Sequence, residues 1–504
     1  PAADQATFLD DCVAKGITSV MSNAIEHHYT VVKATKDVDG NLPFTQRMDA
    51  ATYTGSPNGT PSASGTQGQF SADNYSSIST QSPDPTFINN TYWGRVDALL
   101  SACLSRNIAV FVWPMYLGFH GGQEGWIAEM EQWDAVTGAG GFTGQGFADP
   151  TKSKMWNYGA WLGARWAQYP NVIWVAGGDY GSNSQTLNAA QSAAVKSCID
   201  GVKSQQPNSL WTAHWDRPCK SDDTLVSGTP WALNFCYTDD NTAEATRAAY
   251  SSAAKPAYLG ENNYEDGLFG GTLPFRKYLY WGFLGGIAGG FYGQEQLWRF
   301  DDGSPGTLWS TLLTRQGRLD AARQYAFWST RPWHRLVPNG LGGIGTLITA
   351  GGGTASPQST DYVAAAATPE RDLLLAYVPP AHTGSVTIDM TKLGASVTSR
   401  WFDPTNATFT AIGTFSNTGT RAFTTPGNNS AGEADWLLVL DAPDAPMPLS
   451  WAPVFPYRAL RSSLGLAQVV SGVVEPVAPP PPATLASWSP DIPDRAPRAR
   501  HASS

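Results

Sequence analysis

Short apolar runs alternate with amphipathic stretches along the first 300 residues. GITSVMSN (16–23), NIAVFVWPM (107–115), NVIWVAGGD (171–179), SLWTAHW (209–215), PWALNFCY (230–237), KPAYLGEN (255–262) and AGGFYG (288–293) read as buried strands. Residues 7–15, 93–106, 156–169, 189–205, 242–253 and 274–287 instead place apolar side chains at helical spacing. Continuous apolar strands separated by helices indicate parallel pairing with both sheet faces covered. This many βα units predict the α/β class and a (β/α)8 TIM barrel. Seven strands precede residue 300 and the chain opens on a helix, so the first barrel strand is expected upstream or replaced by another segment.

Residues 36–90 interrupt the pattern with a long stretch rich in Gly, Ser, Thr, Asn and Pro. A connection of that length is functional or irregular. On a barrel it would lie over the C-terminal strand ends, where Phe70 and Tyr75 would wall a cleft. From about residue 345 the period shortens. DYVAAAATP, DLLLAYVPP, GSVTIDM, TSRWFDP and DWLLVLD are short strands between turn residues, which predicts an all-β antiparallel sandwich. Beyond it come YRALRSSLGLAQ, the Pro-rich PVAPPPPA and the basic RAPRARHASS, with Trp451 and Trp488 as candidate surface anchors. The expected division is a barrel over 1–338, a sandwich over 345–444 and a Pro-rich tail over 445–504 that links or docks. The connector RPWHRLVP (331–338) is expected at the seam between the first two.

Composition narrows the chemistry. A net charge of −10 disfavours nucleic-acid and anionic-membrane surfaces. No apolar run reaches the roughly 18 residues of a membrane span. The 20 tryptophans suit either a packed barrel or stacking on flat ligands such as sugars. Cys12, Cys103, Cys198, Cys219 and Cys236 form no CxxC pair, so buried thiols are expected, with Cys12–Cys103 as the one candidate disulfide. His27, His28, His120 and His214 show no metal-ligand spacing, and no metal or other cofactor is expected. Gly-x-Ser-x-Gly and phosphate-loop signatures are absent too. The start at Pro1, without a Met or a signal-peptide pattern, reads as a processed or trimmed product whose targeting information is lost; the expected location is extracellular or surface-associated.

In a parallel barrel, acids at the C-terminal strand ends face the site. Asp179 closes NVIWVAGGD and Glu261 closes KPAYLGE. A carboxylate pair flanking a glycosidic bond is the usual equipment of a glycosidase. Capping of the following helix is the alternative role for either acid. The glycines before Asp179 would give a sharp turn and clearance for substrate. Other strand ends supply Glu26, His27, Trp113, Tyr116, His214, Trp215, Tyr237, Tyr264, Tyr292, Gln294 and Trp298, a mixture suited to stacking and hydroxyl recognition. Glu265 is expected to pair with Arg276 in a structural role.

Several stretches resemble one family in order. They are PDPTFINNTYWGRVDALLSACLSRNIAVFVWPM, NVIWVAGGD, KPAYLGENNYED, RKYLYWGFLGGIAGGFYGQEQLW, RWFDPTNATF, FTTP and DWLLVLD. The chain resembles the apiosidase-like glycoside hydrolases, whose barrel carries an appended β-sandwich once labelled collagen-binding, and the resemblance covers about residues 7 to 442. That resemblance implies retaining hydrolysis of a plant or microbial polysaccharide, with Asp179 on the fourth strand as acid/base and Glu261 on the seventh as nucleophile. Two departures accompany it. Tyr180 stands where the family usually has Arg, and the family's first strand is not in this chain. They motivate a rival reading, a non-catalytic glycan-binding or structural component of a surface or virion assembly, self-associated or held to a partner through the tail.

Overall fold

The computed structural model describes residues 2–25, 37, 39–46, 48, 83–118, 125–180, 187–216, 221, 226, 231–238, 241–252, 255–266, 275–294, 297 and 309–442. Glu26, His27, Trp298, His28, His120, Cys219, Phe70, Tyr75 and the tail from 445 lie outside these residues.

The apolar runs form parallel strands. β1 (Ser19–Asn23), β2 (Ala109–Trp113), β3 (Val172–Tyr180) and β4 (Trp211–Trp215) pair side by side in that order. β5 (Asn234–Tyr237) and β6 (Ala257–Glu261) form a second parallel pair. The two sheets are spliced by the Ala232 amide donating to the Trp211 carbonyl (2.8 Å), by Thr212 Oγ1 donating to the Leu233 carbonyl (3.0 Å), and by Ser221. The Oγ of Ser221 accepts from the amides of Ala213 (3.1 Å) and Phe235 (2.8 Å) and donates to the Ala213 carbonyl (2.8 Å). A side-chain hydroxyl thus satisfies backbone groups that a continuous ladder would pair. The expected strand AGGFYG contributes two isolated parallel bridges, Leu259 with Gly290 and Glu265 with Gln294. Among the described residues, six strands in two sheets stand where an eight-stranded ring was expected.

Between these strands run α1 (Ala2–Ala14), α2 (Asn90–Ser105), α3 (Ile127–Ala135), α4 (Lys154–Trp166), α5 (Ala189–Gln205) and α6 (Thr242–Ser252). Their starts are fixed locally. Ser153 Oγ accepts from the Trp156 amide, and Asn188 with Gln191 forms a reciprocal capping box. Most of the tryptophan excess is packing. Trp166, Trp174 and Trp211 stack in series at 5.3 and 5.5 Å where helices cover the sheet. A second aromatic layer fills the opposite face. Phe111, Trp113, Phe235, Tyr237 and Tyr258 form one cluster that draws on both sheets. Phe111 meets both Tyr258 and Phe291 at 5.0 Å. The base of the long polar stretch is also fixed, by a Phe44–Ile88 bridge and a buried Lys154–Asp84 ion pair at 2.5 Å.

The C-terminal region holds two antiparallel sheets. β7 (Val337–Pro338), β9 (Ala364–Ala367), β10 (Leu373–Val378), β12 (Val397–Phe402), β13 (Phe409–Phe415) and β15 (Trp436–Asp441) make six strands. β8 (Ile348–Ala350), β11 (Val386–Asp389) and β14 (Thr420–Phe423) make three. Leu374, Ala376, Ile388, Trp401, Phe423 and Leu438 share the core between them. The periodicity missed β8, β13 and β14, which are short or exposed and carry little apolar signal.

The outer face of the larger sheet packs on α7 (Arg276–Leu284) and α8 (Gln316–Trp328). Tyr280 stacks on Tyr377 at 4.7 Å, and Phe327 meets Phe402 at 4.6 Å. Arg276, 1% exposed, binds both oxygens of Asp435 at 2.7 and 2.6 Å and Asp320 at 2.9 Å, and it also reaches Glu433. Glu265 is therefore not its partner. Glu265 accepts instead from the Gly317 amide at the start of α8 (2.7 Å) and from the Tyr292 hydroxyl. The seam extends well beyond the connector 331–338, whose Val337 and Pro338 pair with β9.

Cys12, Cys103, Cys198 and Cys236 are buried free thiols, so the Cys12–Cys103 disulfide is not formed. Burial pushes the Cys103 thiol up to about 12, which keeps it unreactive. Glu129 on α3 is the opposite extreme. Both of its carboxyl oxygens are buried without a hydrogen-bond partner, and burial pushes the acid up to about 8. The folded chain therefore keeps this proton over a range in which the unfolded chain has lost it, so stability falls as pH rises from the ordinary glutamate range towards 8. Glu129→Gln removes that dependence. Its melting temperature is expected to gain on the wild type progressively between pH 5 and pH 8, and a constant difference across that range contradicts the assignment.

Candidate active site

Residues at the C-terminal ends of β4, β5 and β6 converge on one carboxylate. Glu261 ends β6, and its Oε2 lies 2.7 Å from His214 Nε2 at the end of β4. Its Oε1 accepts from the Tyr264 hydroxyl at 2.5 Å. Tyr237, at the end of β5, also hydrogen-bonds the carboxylate. His214 is 3% exposed and sits in an aromatic nest. Phe235 stacks on it at 4.6 Å, while Tyr237, Trp113 and Tyr116 surround it at 5.3, 5.6 and 6.3 Å. Burial pushes the Glu261 carboxyl up. The His214 imidazole and the Tyr264 and Tyr237 hydroxyls outweigh burial and hold the acid below the ordinary glutamate range. The site thus contains a carboxylate with a side chain only 14% exposed that stays ionised.

Asp179 reaches the same end of the sheet by a backbone irregularity. β3 pairs with β4 through Gly177 opposite His214 and then Tyr180 opposite Trp215, so Gly178 and Asp179 are extra to the ladder. Such bulges re-aim side chains beside functional sites. Gly177, Gly178 and Asp179 have φ of 85°, 125° and 54°. Aspartate tolerates this left-handed region better than most side chains. The two glycines answer a packing need at this turn. A Cβ on Gly177 would stand 2.2 Å from the His214 carbonyl oxygen, and one on Gly178 2.6 Å from the Tyr116 ring. The bulge is braced from outside, because the Leu117 and Gly118 amides donate to the Gly177 and Gly178 carbonyls, each at 3.1 Å.

The structure brings together Trp113, Tyr116, His214, Tyr237, Glu261 and Tyr264. It places three other sequence candidates elsewhere. Trp215 points to the helix-covered side and packs on Trp231 at 6.2 Å. Tyr292 lies against Phe275 at 5.0 Å and donates to Glu265. Gln294 is buried beside Asp266 at 3.2 Å and accepts from the Leu297 amide. Trp215 follows His214, and Tyr292 and Gln294 are out of phase with Phe291, so extended backbone turns all three away from the inner aromatic layer. Tyr180 does the same, with its hydroxyl 3.5 Å from Gln191 on α5, so the departure after Asp179 falls outside the nest. Sequence reasoning missed Phe235, Tyr258 and Phe291, which floor the site. The spacing of Phe235 and Tyr237, two residues apart on β5, carries that information. Among the described residues no group of three His, Cys, Asp or Glu side chains is placed to hold a metal ion, and no helix is long and apolar enough to cross a membrane.

Parallel strands covered by helices, with acids and aromatics at their C-terminal ends and antiparallel sheets packed behind, define an α/β glycoside hydrolase-like fold. The family model described as "Apiosidase-like, catalytic domain" matches residues 2–335, and this chain belongs to that family of glycoside hydrolases. A second model, "Putative collagen-binding domain of a collagenase", matches residues 354–441. A structure of a glycoside hydrolase family 5 protein from Bacteroides vulgatus ATCC 8482 is similar, at 17% identity and a TM-score of 0.63 over 90% of this chain and 89% of that one. Another, described as "Glycoside hydrolase", shares 16% identity and a TM-score of 0.60 over 88% and 89% of the two chains. These likenesses are of fold. No curated protein matches the chain.

Tyr264→Phe keeps the ring and deletes the donor to Glu261. The carboxylate loses a stabilising hydrogen bond, so it should protonate at higher pH than in the wild type. Infrared titration of the carboxylate band, with Glu261→Gln as the blank, reads this directly. An unchanged midpoint contradicts the role given to Tyr264.

Proposed function

We propose that the protein is a retaining glycoside hydrolase acting outside the cell on a plant or microbial polysaccharide, with Glu261 as nucleophile and Asp179 as acid/base. The observation that carries the reading is the Glu261 environment. A nucleophile must be ionised yet shielded from water, and here burial is offset by His214, Tyr264 and Tyr237. In the first step a Glu261 oxygen bonds the anomeric carbon as the glycosidic C–O bond breaks, and Asp179 gives its proton to the leaving oxygen. In the second, Asp179 takes a proton from water as that water displaces Glu261, so both residues return to their starting states. Trp113 and Tyr116 offer faces for a sugar ring beside His214. In this reading the two parallel sheets are arcs of one closed (β/α)8 barrel, which the aromatic layer reaching from Phe111 to Tyr258 and Phe291 supports.

The test is sugar release from a panel of polysaccharides by the full chain and two variants. Glu261→Gln should abolish release on every substrate that the wild type cleaves. Asp179→Asn should lose roughly a hundred- to ten-thousandfold on polysaccharide. It should recover much of its glycosylation rate on aryl glycosides whose leaving group needs no proton. Full activity in either variant on the polysaccharide overturns its role.

A further inference from the structure

The segment that carries Glu261 is held from its outer side by elements that the C-terminal sheets grip. Two residues after Glu261, Asn263 donates through Nδ2 to the Tyr278 hydroxyl on α7 at 2.9 Å. The next residue, Tyr264, turns inward and donates to Glu261. Glu265 then turns outward and accepts from the Gly317 amide, the first turn of α8. Both helices meet at Arg276, whose guanidinium joins Asp320 of α8 to Asp435 at the start of β15. Asp435 is wholly buried, and its carboxylate also accepts from Tyr377 (2.7 Å) and Asn429 (2.7 Å). Both oxygens of Asp435 are thus committed, and a bidentate Arg–carboxylate pair fixes orientation as well as distance. On its other side the Glu265 amide donates to the Gly293 carbonyl at 2.9 Å, and Gly293, which has no side chain, leaves room for Tyr264. A Cβ there would stand 2.3 Å from the Tyr264 ring.

We propose that Asp435 is a positioning residue for the reaction: through Arg276, α7 and the Tyr278–Asn263 hydrogen bond it fixes the segment that presents Glu261 and Tyr264. The C-terminal sheets are then a brace for the catalytic carboxylate, with their larger face already occupied within the chain. The proposal rests on Glu261 being the reacting carboxylate.

Two variants of the full chain test it. Tyr278→Phe keeps the ring and removes the acceptor for Asn263. Asp435→Asn removes the charge that holds Arg276. His214, Tyr237 and Tyr264, the titratable groups that face Glu261 from β4, β5 and its own segment, are retained in both. Protein labelled with 13C at the glutamate carboxyl carbon is titrated by NMR, with the Glu261 signal assigned by its absence in Glu261→Gln. In both variants Glu261 is expected to titrate at higher pH than in the wild type. kcat on a cleaved glycan should fall roughly tenfold or more with KM little changed, the signature of a displaced reacting group. A purely structural clasp would lower the melting temperature and leave the Glu261 titration in place, and that result overturns the proposal. Should Asp435→Asn fail to fold, Tyr278→Phe decides alone. The carboxyl titration needs no substrate, so the two readings fail separately. A moved titration in a chain that cleaves no glycan retains the brace and removes the hydrolase. An unmoved titration in a chain that cleaves does the reverse.

Discussion

A carboxylate at the end of β6, largely withdrawn from water and kept ionised, is the constraint around which the site is arranged. Taking such a group out of water is costly unless several donors converge on it. Here they come from three separate places: His214 on β4, Tyr237 on β5 and Tyr264 three residues further along the chain. Parallel strands bring their C-terminal ends to one side, so residues distant in sequence can meet there without long loops. The aromatic nest around His214 excludes water and fixes the imidazole by stacking on Phe235. Charge and shielding, which oppose each other in isolation, are reconciled by geometry.

The same geometry needs stiffness from behind. α7 and α8 cover the outside of the last strands, and the six-stranded sheet covers α7 and α8. The layers are locked by an arginine with acidic partners on two elements and by a stack of tyrosines. Removing one partner from such a buried cluster is costly, because the others are left charged and desolvated. The second half of the chain is therefore joined to the first by a core and an ion cluster rather than by a flexible linker. A domain whose family is named for collagen binding has, in this chain, much of its larger sheet facing its own neighbour.

Much of this organisation was legible in the sequence. Continuous apolar runs announced the parallel strands, and apolar side chains at helical spacing announced the helices that follow them. Glu261 and His214 stood out as polar residues closing apolar strands. What the sequence concealed were matters of parity and of distant pairing. Trp215, Tyr292 and Gln294 lie one residue out of phase with the inner face, and a bulge at Gly178–Asp179 shifts the phase locally. The acidic partner of Arg276 could not be read from proximity along the chain, since Asp435 belongs to another sheet and Glu265 was the nearer candidate. The packing role of the glycines before Asp179 was hidden too, because it rests on the approach of Tyr116 and the His214 backbone.

The central claim is that Glu261 forms a bond to sugar. Incubating the full chain with 2-deoxy-2-fluoro glycosides bearing a good leaving group slows breakdown of any glycosyl-enzyme and lets it accumulate. Peptide mass spectrometry then locates the added sugar. The account predicts one glycosyl unit per chain, on the peptide containing Glu261, and none in Glu261→Gln. Sugar attached to a different carboxylate, or turnover of these glycosides with inverted anomeric configuration and no adduct, would contradict it.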